Sequence, residues 1–370
     1  MKTFQLAFGI FLLVCQPLLA SLPAGYVVTW SHDYLADTNG VAAPSKFRTG
    51  VVAINGQELT NAVAIAAGDH CGLALKNDGT VVAWGPNQFG QASVPDGLSN
   101  VVRIEADGSY NMAIKSDGSG ISWGVGQPPV LTDLSNVSAA TYDVALKTNG
   151  MLVSRGRKLD QFHQAFVPAG LSNVVDFAMS HGEGLALRRD GTVAEWTLSG
   201  QMPIEWQSLE KTNSKETGYR MLSADYKVID GLSNVVSIAA GLEFNLALKR
   251  DGTVFGWGFN EGGMATGVQE TNFPIRWGYY FRESWTSQGL VTIGSQVLSN
   301  VVAVAAGQSI SLALKNDGTI VAWGDGPYHR VDVPPGLSNV VAIAISTADR
   351  DVFGLAIITN RAVAEKFRQK

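Results

Sequence analysis

Short apolar runs alternate with turn-forming residues along the whole chain, in an order that repeats. Between residues 298 and 324, a run rich in small apolar residues is followed by an alternating apolar and polar run, and then by a β-branched run that ends in Trp323-Gly324. Runs of about four to eight residues with this composition, bounded by Gly, Asn and Asp, predict β-strands. Each unit therefore predicts three short strands.

The unit occurs seven times, and each copy starts at a leucine. Successive starts are 36 to 39 residues apart, except for two spacings of 61 and 66 residues that reflect insertions after Trp196 and Gly258. Self-similarity at a nearly fixed period indicates a repeat architecture. The starts are Leu59, Leu98, Leu134, Leu171, Leu232, Leu298 and Leu337.

An Asx-Gly pair separates the second and third runs of six copies. This dipeptide tolerates the positive φ angles that a two-residue type I′ hairpin requires, so it predicts a tight turn of that type. Each turn offers one carboxylate at most, whereas calcium takes about six to eight oxygen ligands, so we expect no metal there. The pairs are Asp78-Gly79, Asp117-Gly118, Asn149-Gly150, Asp190-Gly191, Asp251-Gly252 and Asp317-Gly318.

Small residues end the first strand of several units, and a tryptophan ends the third strand. In a ring of radially arranged sheets, the innermost strands crowd around an axis and small side chains let them approach. We therefore predict an all-β, seven-bladed β-propeller in which the recurring tryptophans pack the blades. The small segments are Ala66-Ala67-Gly68, Ala239-Ala240-Gly241 and Ala305-Ala306-Gly307, and the tryptophans are Trp84, Trp123, Trp196, Trp257 and Trp323.

The two ends of the chain carry complementary parts of one unit. Tyr26 to Trp30 resembles a third strand with no first or second strand before it. The copy from Leu337 has two strands but lacks the Asx-Gly turn and the Trp-Gly ending. We predict that the N-terminal strand completes the last blade and closes the ring, which removes exposed strand edges. The alternative is that Ala362 to Phe367 completes that blade.

The unit resembles that of a known repeat family. The pattern AAG-x-x-x-x-x-LALK-x-DGTV-x-x-WG is followed at Gly85 to Gly90 and at Gly258 to Gly263 by G-x-N-x-x-G. This resembles the regulator of chromosome condensation repeat family. The short spacing is more similar to its bacterial secreted members, including a β-lactamase inhibitory protein of this fold, than to its eukaryotic nuclear members. The resemblance covers roughly residues 25 to 360 and implies a seven-bladed propeller, whose members share a fold rather than a function.

The first residues predict export. Lys2 precedes an apolar run, Phe4 to Val14, that is too short to cross a bilayer as a helix, and small residues follow at Ala20 and Ala24. We expect cleavage after Ala20 or Ala24, which leaves a secreted, periplasmic or envelope protein with no membrane span. The predicted divisions are a signal peptide at 1–24, a propeller at 25–364 and a C-terminal tail at 365–370.

The amino-acid composition limits the classes of molecule that the protein is expected to bind. The formal net charge is −5 and charged residues make up 16% of the chain, with no basic stripe, so we expect no nucleic-acid binding. After signal cleavage Cys71 is the only cysteine, so no disulfide can form within the chain. We expect Cys71 to be a small buried apolar residue and the protein to be a monomer.

Three connectors that follow a third strand are long, and two of them are rich in aromatic residues. Loops on a rigid scaffold often carry recognition, and Tyr and Trp dominate binding hot spots. The aromatic residues either pack the insertions on the propeller or contact a partner, and both interpretations stay open. The connectors are residues 32–58, 198–231 and 259–297, and the candidate partner-binding residues are Trp206, Trp277, Tyr279, Tyr280, Phe281 and Trp285.

Signals for catalysis are weak. Ser122 lies in a G-x-S-x-G match, but it occupies a strand position held by Ala83 and Ala322 in sister units, whereas a nucleophile elbow needs a strand-to-helix turn. The five histidines show no zinc-ligand spacing, and no phosphate loop is present. Glu195 replaces a small residue before Trp196, and we expect it at the solvated surface. We therefore predict no catalytic residue, no metal and no cofactor.

These patterns together predict an exported, non-enzymatic propeller that acts as a protein–protein interaction module with an unknown protein partner. One alternative is a carbohydrate-binding or carbohydrate-cleaving propeller, because glycans stack on exposed aromatic rings and glycosidases need two carboxyl groups. A second alternative is a structural component of the cell envelope. Guanine-nucleotide exchange, known for the nuclear family members, is not expected of an exported chain.

Overall fold

The computed structural model shows short antiparallel strands throughout the part of the chain that it describes. All structural statements below concern that part. It comprises residues 23–32, 47–68, 71–108, 110–124, 135–141, 144–154, 167–180, 183–197, 226–260, 262–268, 286–324, 332–346 and 352–368.

Each predicted unit up to residue 154 forms three strands. The strand over 81–84 ends at the tryptophan, as the pattern predicted. The strands in this part are β1 (Tyr26–His32), β2 (Phe47–Val51), β3 (Ala53–Ile54), β4 (Gln57–Glu58), β5 (Ala62–Ala67), β6 (Gly72–Lys76), β7 (Val81–Trp84), β8 (Val101–Asp107), β9 (Tyr110–Lys115), β10 (Gly120–Gly124), β11 (Val137–Ala140), β12 (Val144–Lys147) and β13 (Leu152–Ser154).

The units from Leu171, Leu232 and Leu298 also form three strands each, two of these units gain a fourth strand, and the unit from Leu337 forms two. Helical structure in the described residues is confined to the C-terminal end. The elements are β14 (Val174–Ser180), β15 (Glu183–Arg188), β16 (Val193–Thr197), β17 (Tyr226–Val228), β18 (Val235–Ala240), β19 (Phe244–Lys249), β20 (Val254–Phe259), β21 (Thr286–Leu290), β22 (Thr292–Ile293), β23 (Gln296–Val297), β24 (Val301–Ala306), β25 (Ser311–Lys315), β26 (Ile320–Trp323), β27 (Val340–Ile345), β28 (Phe353–Ile358) and α1 (Arg361–Lys366).

Most of these strands form seven antiparallel sheets, the blades of a β-propeller. Blades 1 to 6 are β5–β7, β8–β10, β11–β13, β14–β17, β18–β21 and β24–β26 in chain order, and blade 7 has the order β2-β1-β28-β27. The first strands contact one another from blade 4 to blade 7 and on to blades 1 and 2, whereas β11 of blade 3 contacts β9, and β12 contacts β14. The buried apolar clusters lie between neighbouring blades, so the blades stabilise one another face to face.

The N-terminal strand completes blade 7, as predicted. Strand β1 pairs with β28 along its length, and Trp30 lies opposite Gly354. At the junction with blade 1, Gly25 exchanges two backbone hydrogen bonds with Ala62, of 3.0 and 3.2 Å. Both ends of the described chain therefore lie in one sheet, and no separate N-terminal strand edge is left at this blade.

The alternative ending for blade 7 is wrong, because residues 361–366 form helix α1 instead of a strand. The side chain of Asn360 accepts a hydrogen bond from the Ala362 N–H at 2.9 Å, which caps the helix N-terminus. Val363 and Ala364 are buried in the same apolar cluster as Trp30. The helix therefore covers blade 7 after the chain has finished its last strand.

The Asx-Gly turns lie where they were predicted, but they are not two-residue type I′ turns. In blade 1, the Lys76 N–H donates to the Thr80 carbonyl and the Gly79 N–H donates to the Lys76 carbonyl, each at 2.9 Å. Gly79 has a φ of 78°, whereas Asp78 is not among the residues with positive φ. The loop therefore has three residues and ends in a left-handed glycine, the G1-bulge hairpin. Asp78 instead accepts hydrogen bonds from the N–H and hydroxyl of Thr80.

Each turn is tied to the next blade by a backbone hydrogen bond. The asparagine before a first strand adopts a left-handed conformation, as in Asn300 with φ 60°, and turns the chain towards the preceding blade. The residue after it then donates its N–H to the carbonyl of the turn glycine. The donor and acceptor pairs are Val101–Gly79, Val137–Gly118, Val174–Gly150, Val235–Gly191, Val301–Gly252 and Val340–Gly318.

Blades 4, 5 and 7 have a fourth strand that the sequence analysis did not predict. In blade 4 the Ile229 N–H donates to the Val193 carbonyl at 3.0 Å, next to the pairing of β16 with β17. A proline occupies the position aligned with Ile229 in three other connectors, and proline has no N–H to donate. Blades 1, 3 and 6 accordingly have three strands, and the prolines in their connectors are Pro95, Pro168 and Pro334.

Candidate functional site

The three long connectors leave and return at the same end of their blades. Each leaves after a third strand and comes back as a fourth strand paired with it. His32 pairs with Phe47, Trp196 with Tyr226, and Phe259 with Thr286. We call this the insertion end of a blade and the end with the Asx-Gly turn the turn end. Because every blade runs in the same direction, the three connectors are rooted on one face of the propeller.

The candidate partner-binding residues lie outside the residues that the structure describes. This holds for Trp206, Trp277, Tyr279, Tyr280, Phe281 and Trp285. The described positions that flank them, Thr197 with Tyr226 and Val268 with Thr286, place the roots of both aromatic insertions at the insertion end of blades 4 and 5. The expectation that the connectors emerge at equivalent places is therefore confirmed for their roots, and the role of the aromatic residues stays a prediction.

Two of the tryptophans at the insertion end, Trp123 and Trp323, are anchored by the connector of the preceding blade. The Trp123 Nε1–H and the Asn111 side-chain amide both donate to the Gln91 carbonyl, at 2.9 and 2.6 Å. In blade 6, Trp323 Nε1–H and the Ser311 hydroxyl donate to the Met264 carbonyl at 3.0 and 2.7 Å. The residue that directly follows each G-x-N-x-x-G segment therefore supplies a structural acceptor to the next blade.

Glu195 supplies the same acceptor with its side chain. Its Oε1 accepts hydrogen bonds from the Asn245 amide at 3.0 Å and from Trp257 Nε1–H at 3.1 Å. Asn245 and Trp257 are 2% and 6% exposed, so these donors need a partner. The expectation that Glu195 is a solvated surface residue is therefore correct only in part, because its side chain is half-buried and hydrogen-bonded to the next blade. The carboxylate holds blade 4 to blade 5, which weighs against its use as a catalytic acid.

A second charged group, which the sequence analysis missed, lies on the first strands. In β8, Arg103 Nε–H donates to Glu105 Oε1 at 2.7 Å. The same guanidinium reaches from blade 2 to blade 4, where Nη2–H donates to Asp176 Oδ1 at 3.4 Å. Asp176 is 7% exposed. We call these three residues the axial triad, because they join first strands that face the centre of the ring.

The electrostatics of the axial triad follow from its burial. Removal from water raises the pKa of the Asp176 carboxyl, Arg103 lowers it and the Glu105 carboxylate raises it, and together these effects bring it to about 6. Burial lowers the pKa of the Arg103 guanidinium, but the two carboxylates outweigh this effect and raise it above its usual range. Arg103 therefore stays charged, and Asp176 is the member that titrates near neutral pH.

The signal for the axial triad was present in the repeat. Sister units have alanine or serine at the third position of the first strand, where Arg103 and Asp176 stand, as in Ala303 and Ser237. Charged residues in a strand of small apolar residues break the binary pattern, and such breaks often mark special sites. The sequence did not predict that Arg103 pairs with Asp176, because the two residues are 73 positions apart in the chain.

Ser122 and Cys71, the other residues considered for catalysis or reactivity, are parts of the packed blades. Ser122 lies inside β10, as predicted, and not on a strand-to-helix turn. Cys71 is 1% exposed, which confirms the prediction that it is buried, and its thiol donates to the Asn111 side-chain oxygen at 3.4 Å. Among the described residues, no group of three or more His, Cys, Asp or Glu side chains is arranged to hold a metal ion. Nor does that part of the chain contain a helix long and apolar enough to span a bilayer.

Comparison with known proteins agrees with this architecture. The model of the regulator of chromosome condensation (RCC1) repeat matches residues 62–91, 235–263 and 301–330. These stretches cover most of blades 1, 5 and 6 and include both G-x-N-x-x-G segments. The fold thus defines the protein as a β-propeller. Three of its repeats, in blades 1, 5 and 6, match the model of the regulator of chromosome condensation repeat.

Two curated relatives match parts of the chain. Protein pim1 of Schizosaccharomyces pombe is 24% identical over 205 residues, which is 48% of this chain and 34% of pim1. The probable E3 ubiquitin-protein ligase HERC6 of Homo sapiens is 23% identical over 164 residues, which is 44% of this chain and 14% of that protein. The matched region thus spans a third or less of each relative.

Solved structures match nearly the whole chain. Prp20p of Saccharomyces cerevisiae superposes with a TM-score of 0.60 at 16% identity, over 96% of this chain and 97% of that one. Human WBSCR16 superposes with a TM-score of 0.57 at 16% identity, over 91% of this chain and all of that one. At such low identity the likeness establishes the fold and leaves the activity to be inferred from sites.

Proposed function

We propose that this protein is an exported, non-enzymatic propeller that binds a protein partner through the insertion end of blades 4, 5 and 7. The observation that carries the proposal is the common root of the three long connectors on one face. Binding surfaces are commonly built from long loops on a rigid scaffold. The aromatic residues of two of these connectors are the chemistry that such a surface needs.

Propellers similar to this chain bind proteins. Prp20p is described by its binding properties to Gsp1p and histones, and a second structure contains Kap60 bound to yeast RCC1 (Prp20). These partners are those of the yeast protein. For this chain they support the general role of a protein-interaction module, with a partner of its own in the medium or envelope.

The test compares capture by three proteins made as residues 25–370. One is the parent, and one has residues 269–285 replaced by a short Gly-Ser link, which keeps the roots of the connector in blade 5. The third is a matched control with Lys249→Ala and Lys315→Ala at the turn end, on exposed Lys–Asp pairs that contribute little stability. Each is immobilised and exposed to medium and envelope fractions of the producing cells, and bound proteins are identified by mass spectrometry.

The expected result is one protein captured by the parent and the turn-end control but lost by the loop variant, which must still melt cooperatively. Capture by all three proteins would move the binding site away from blade 5. Capture by none would remove support for a protein partner, and a glycan array with the same three proteins would then test the carbohydrate alternative. Export is checked separately by the N-terminal residue of the secreted chain, expected at Ser21 or Gly25.

A further inference from the structure

Blade 3 is the least braced blade of the described ring. Its strands have four, four and three residues. Where the third-strand segment of every other blade has a tryptophan, the sequence of blade 3 has Arg155, one position after Ser154. Large buried side chains supply most of the free energy that packs one blade on the next. This blade therefore depends more than the others on contacts from its neighbours.

The axial triad spans this weak point. Arg103 belongs to blade 2 and Asp176 to blade 4, so their ion pair passes over blade 3 on the side of the axis. Glu105 orients the guanidinium through the 2.7 Å hydrogen bond to Nε.

We propose that Arg103, Glu105 and Asp176 form a pH-sensitive clasp that ties blade 2 to blade 4 over blade 3, and that proton uptake by Asp176 tightens it. Two carboxylates share one guanidinium at this site, so the ionised clasp carries an excess negative charge, and one of the two carboxylates, Asp176, is largely shielded from water. A neutral Asp176 removes both the repulsion from Glu105 and the cost of taking a charge out of water.

The direction of the effect follows from linkage. The pKa of Asp176 is about 6 in the closed clasp and 3.8 for an ordinary, solvated aspartate. The closed form therefore binds the proton more tightly than an opened form does. Its added stability is fully present below about pH 3.8 and is lost as the pH rises through about 6.

Within the described ranges, no other titrating group acts on Asp176 besides those of the axial triad. On β15 the residue opposite is Leu187, and the position of Asp176 in the repeat is Ser237 in β18 and Ala139 in β11. Arg188 acts on Asp190 in its own turn. Lys115 pairs with Asp117, and the Lys147 backbone closes the turn of blade 3. The charged groups that act on Asp176 are thus Arg103 and Glu105.

The test is hydrogen exchange of the whole chain, followed by mass spectrometry on peptides that cover β11 to β13, between pH 4.5 and 7.5. After correction for intrinsic exchange rates, opening of blade 3 is expected to rise about 25-fold between pH 4.5 and pH 7.5, given pKa values of 3.8 and about 6 in the opened and closed forms. Asp176→Asn, which is neutral at all pH values, is expected to hold the low-pH level of protection throughout.

Matched variants keep the result interpretable. Asp190→Asn makes the same chemical change on an exposed turn of blade 4 and is expected to retain the pH dependence of the parent. Arg103→Met removes the group that crosses the ring and is expected to increase opening at both ends of the pH range. Equal pH dependence in the parent and Asp176→Asn would overturn the proposal.

A measurement on the parent alone covers the case in which a variant does not fold. Carboxyl carbon NMR follows the titration of Asp176 directly and is expected to show its midpoint near the pH at which blade 3 exchange changes. Titration of Asp176 with no accompanying change in blade 3 exchange would also overturn the clasp, since the charge would then have no mechanical consequence.

Discussion

Trp30 lies directly across from Gly354, with its indole ring over the α-carbon of the glycine. The same arrangement joins Trp84 to Gly72 in blade 1 and Trp196 to Gly184 in blade 4, where the tryptophan and the glycine come from one repeat. In blade 7 the two residues come from opposite ends of the chain. The N-terminal strand therefore enters the last blade with the side-chain packing of an ordinary third strand.

This packing predicts that Gly354→Ala destabilises the protein. A Cβ at this position would overlap the Trp30 ring, which is fully buried and cannot move away freely. We expect a loss of about 1–3 kcal/mol in the free energy of unfolding, the usual cost of overfilling a packed core. Urea unfolding measures it. Gly289→Ala is the matched control, because nothing lies within 4 Å of a Cβ there, and an equal loss in both variants would contradict the packing argument.

The acceptor role of Glu195 predicts different outcomes for two substitutions. Glu195→Ala leaves the buried Trp257 and Asn245 donors without the carboxylate, and the expected cost is about 1–3 kcal/mol. Glu195→Gln retains an oxygen acceptor, so a smaller loss is expected. Thermal unfolding and the fluorescence of the indole groups measure both. If the two variants behaved alike, the hydrogen bonds to Oε1 would not be stabilising.

The turn chemistry predicts a shift in the titration of Asp251. The hydroxyl and N–H of Thr253 both donate to Asp251 Oδ1, and these hydrogen bonds hold the pKa of that carboxyl below its usual value. Thr253→Val removes the hydroxyl donor, so the pKa is expected to rise towards the usual value, as NMR titration would show. Thr253→Ser keeps the donor, as Ser119 does in blade 2, and is expected to leave the pKa in place.

The sign of the accompanying stability change is also defined. A lowered pKa contributes stability above the ordinary value, 3.8 for aspartate, and this contribution is lost as the pH falls through the lowered value. The stability difference between the parent and Thr253→Val is therefore expected at neutral pH and should vanish in strong acid. A difference that grows in acid would contradict this account.

The left-handed asparagines predict which residues the blade junctions accept. Asn300 has a φ of 60°, and the next residue, Val301, donates its N–H to Gly252 of the preceding blade. Asn300→Val is expected to cost about 1–2 kcal/mol, because a β-branched residue resists this conformation. Asn300→Gly, which adopts it freely, is expected to stay within about 0.5 kcal/mol of the parent. Chemical denaturation compares them, and equal tolerance of valine and glycine would contradict the role of the left-handed turn.

The repeated parts of the fold were predictable because their causes are local. Alternation of apolar and polar residues gave the strands, and Asp251-Gly252 marked a turn at the right position. The closure of blade 7 was predictable as well. The N-terminal segment has a third strand without a first and second, and the last unit has a first and second strand without a third, so the two can form one blade. The turn type was not predicted, because a hydrogen bond from the residue two positions on lets an aspartate keep negative φ.

The candidate site was predictable only in part. The roots of the connectors follow from the order of strands in each unit, whereas the aromatic residues of the insertions follow no repeat that could position them. Helix α1 was missed because six residues carry little periodic signal. The fourth strands were not predicted. Ile229 has an N–H that can donate to a strand edge and Pro95 does not, but this difference matters only where the fold places a strand edge beside the residue.

The sequence on its own determined the number of units, their strands, the places of their turns and the way in which the ends fit. These features arise from interactions between near neighbours that every copy repeats, so periodicity reveals them. Tertiary structure alone decided that Glu195 replaces a backbone carbonyl for Trp257 and that Arg103 reaches Asp176 across the ring. Such contacts join residues distant in the chain and occur once each, and their energy depends on burial that arises only when the ring has closed.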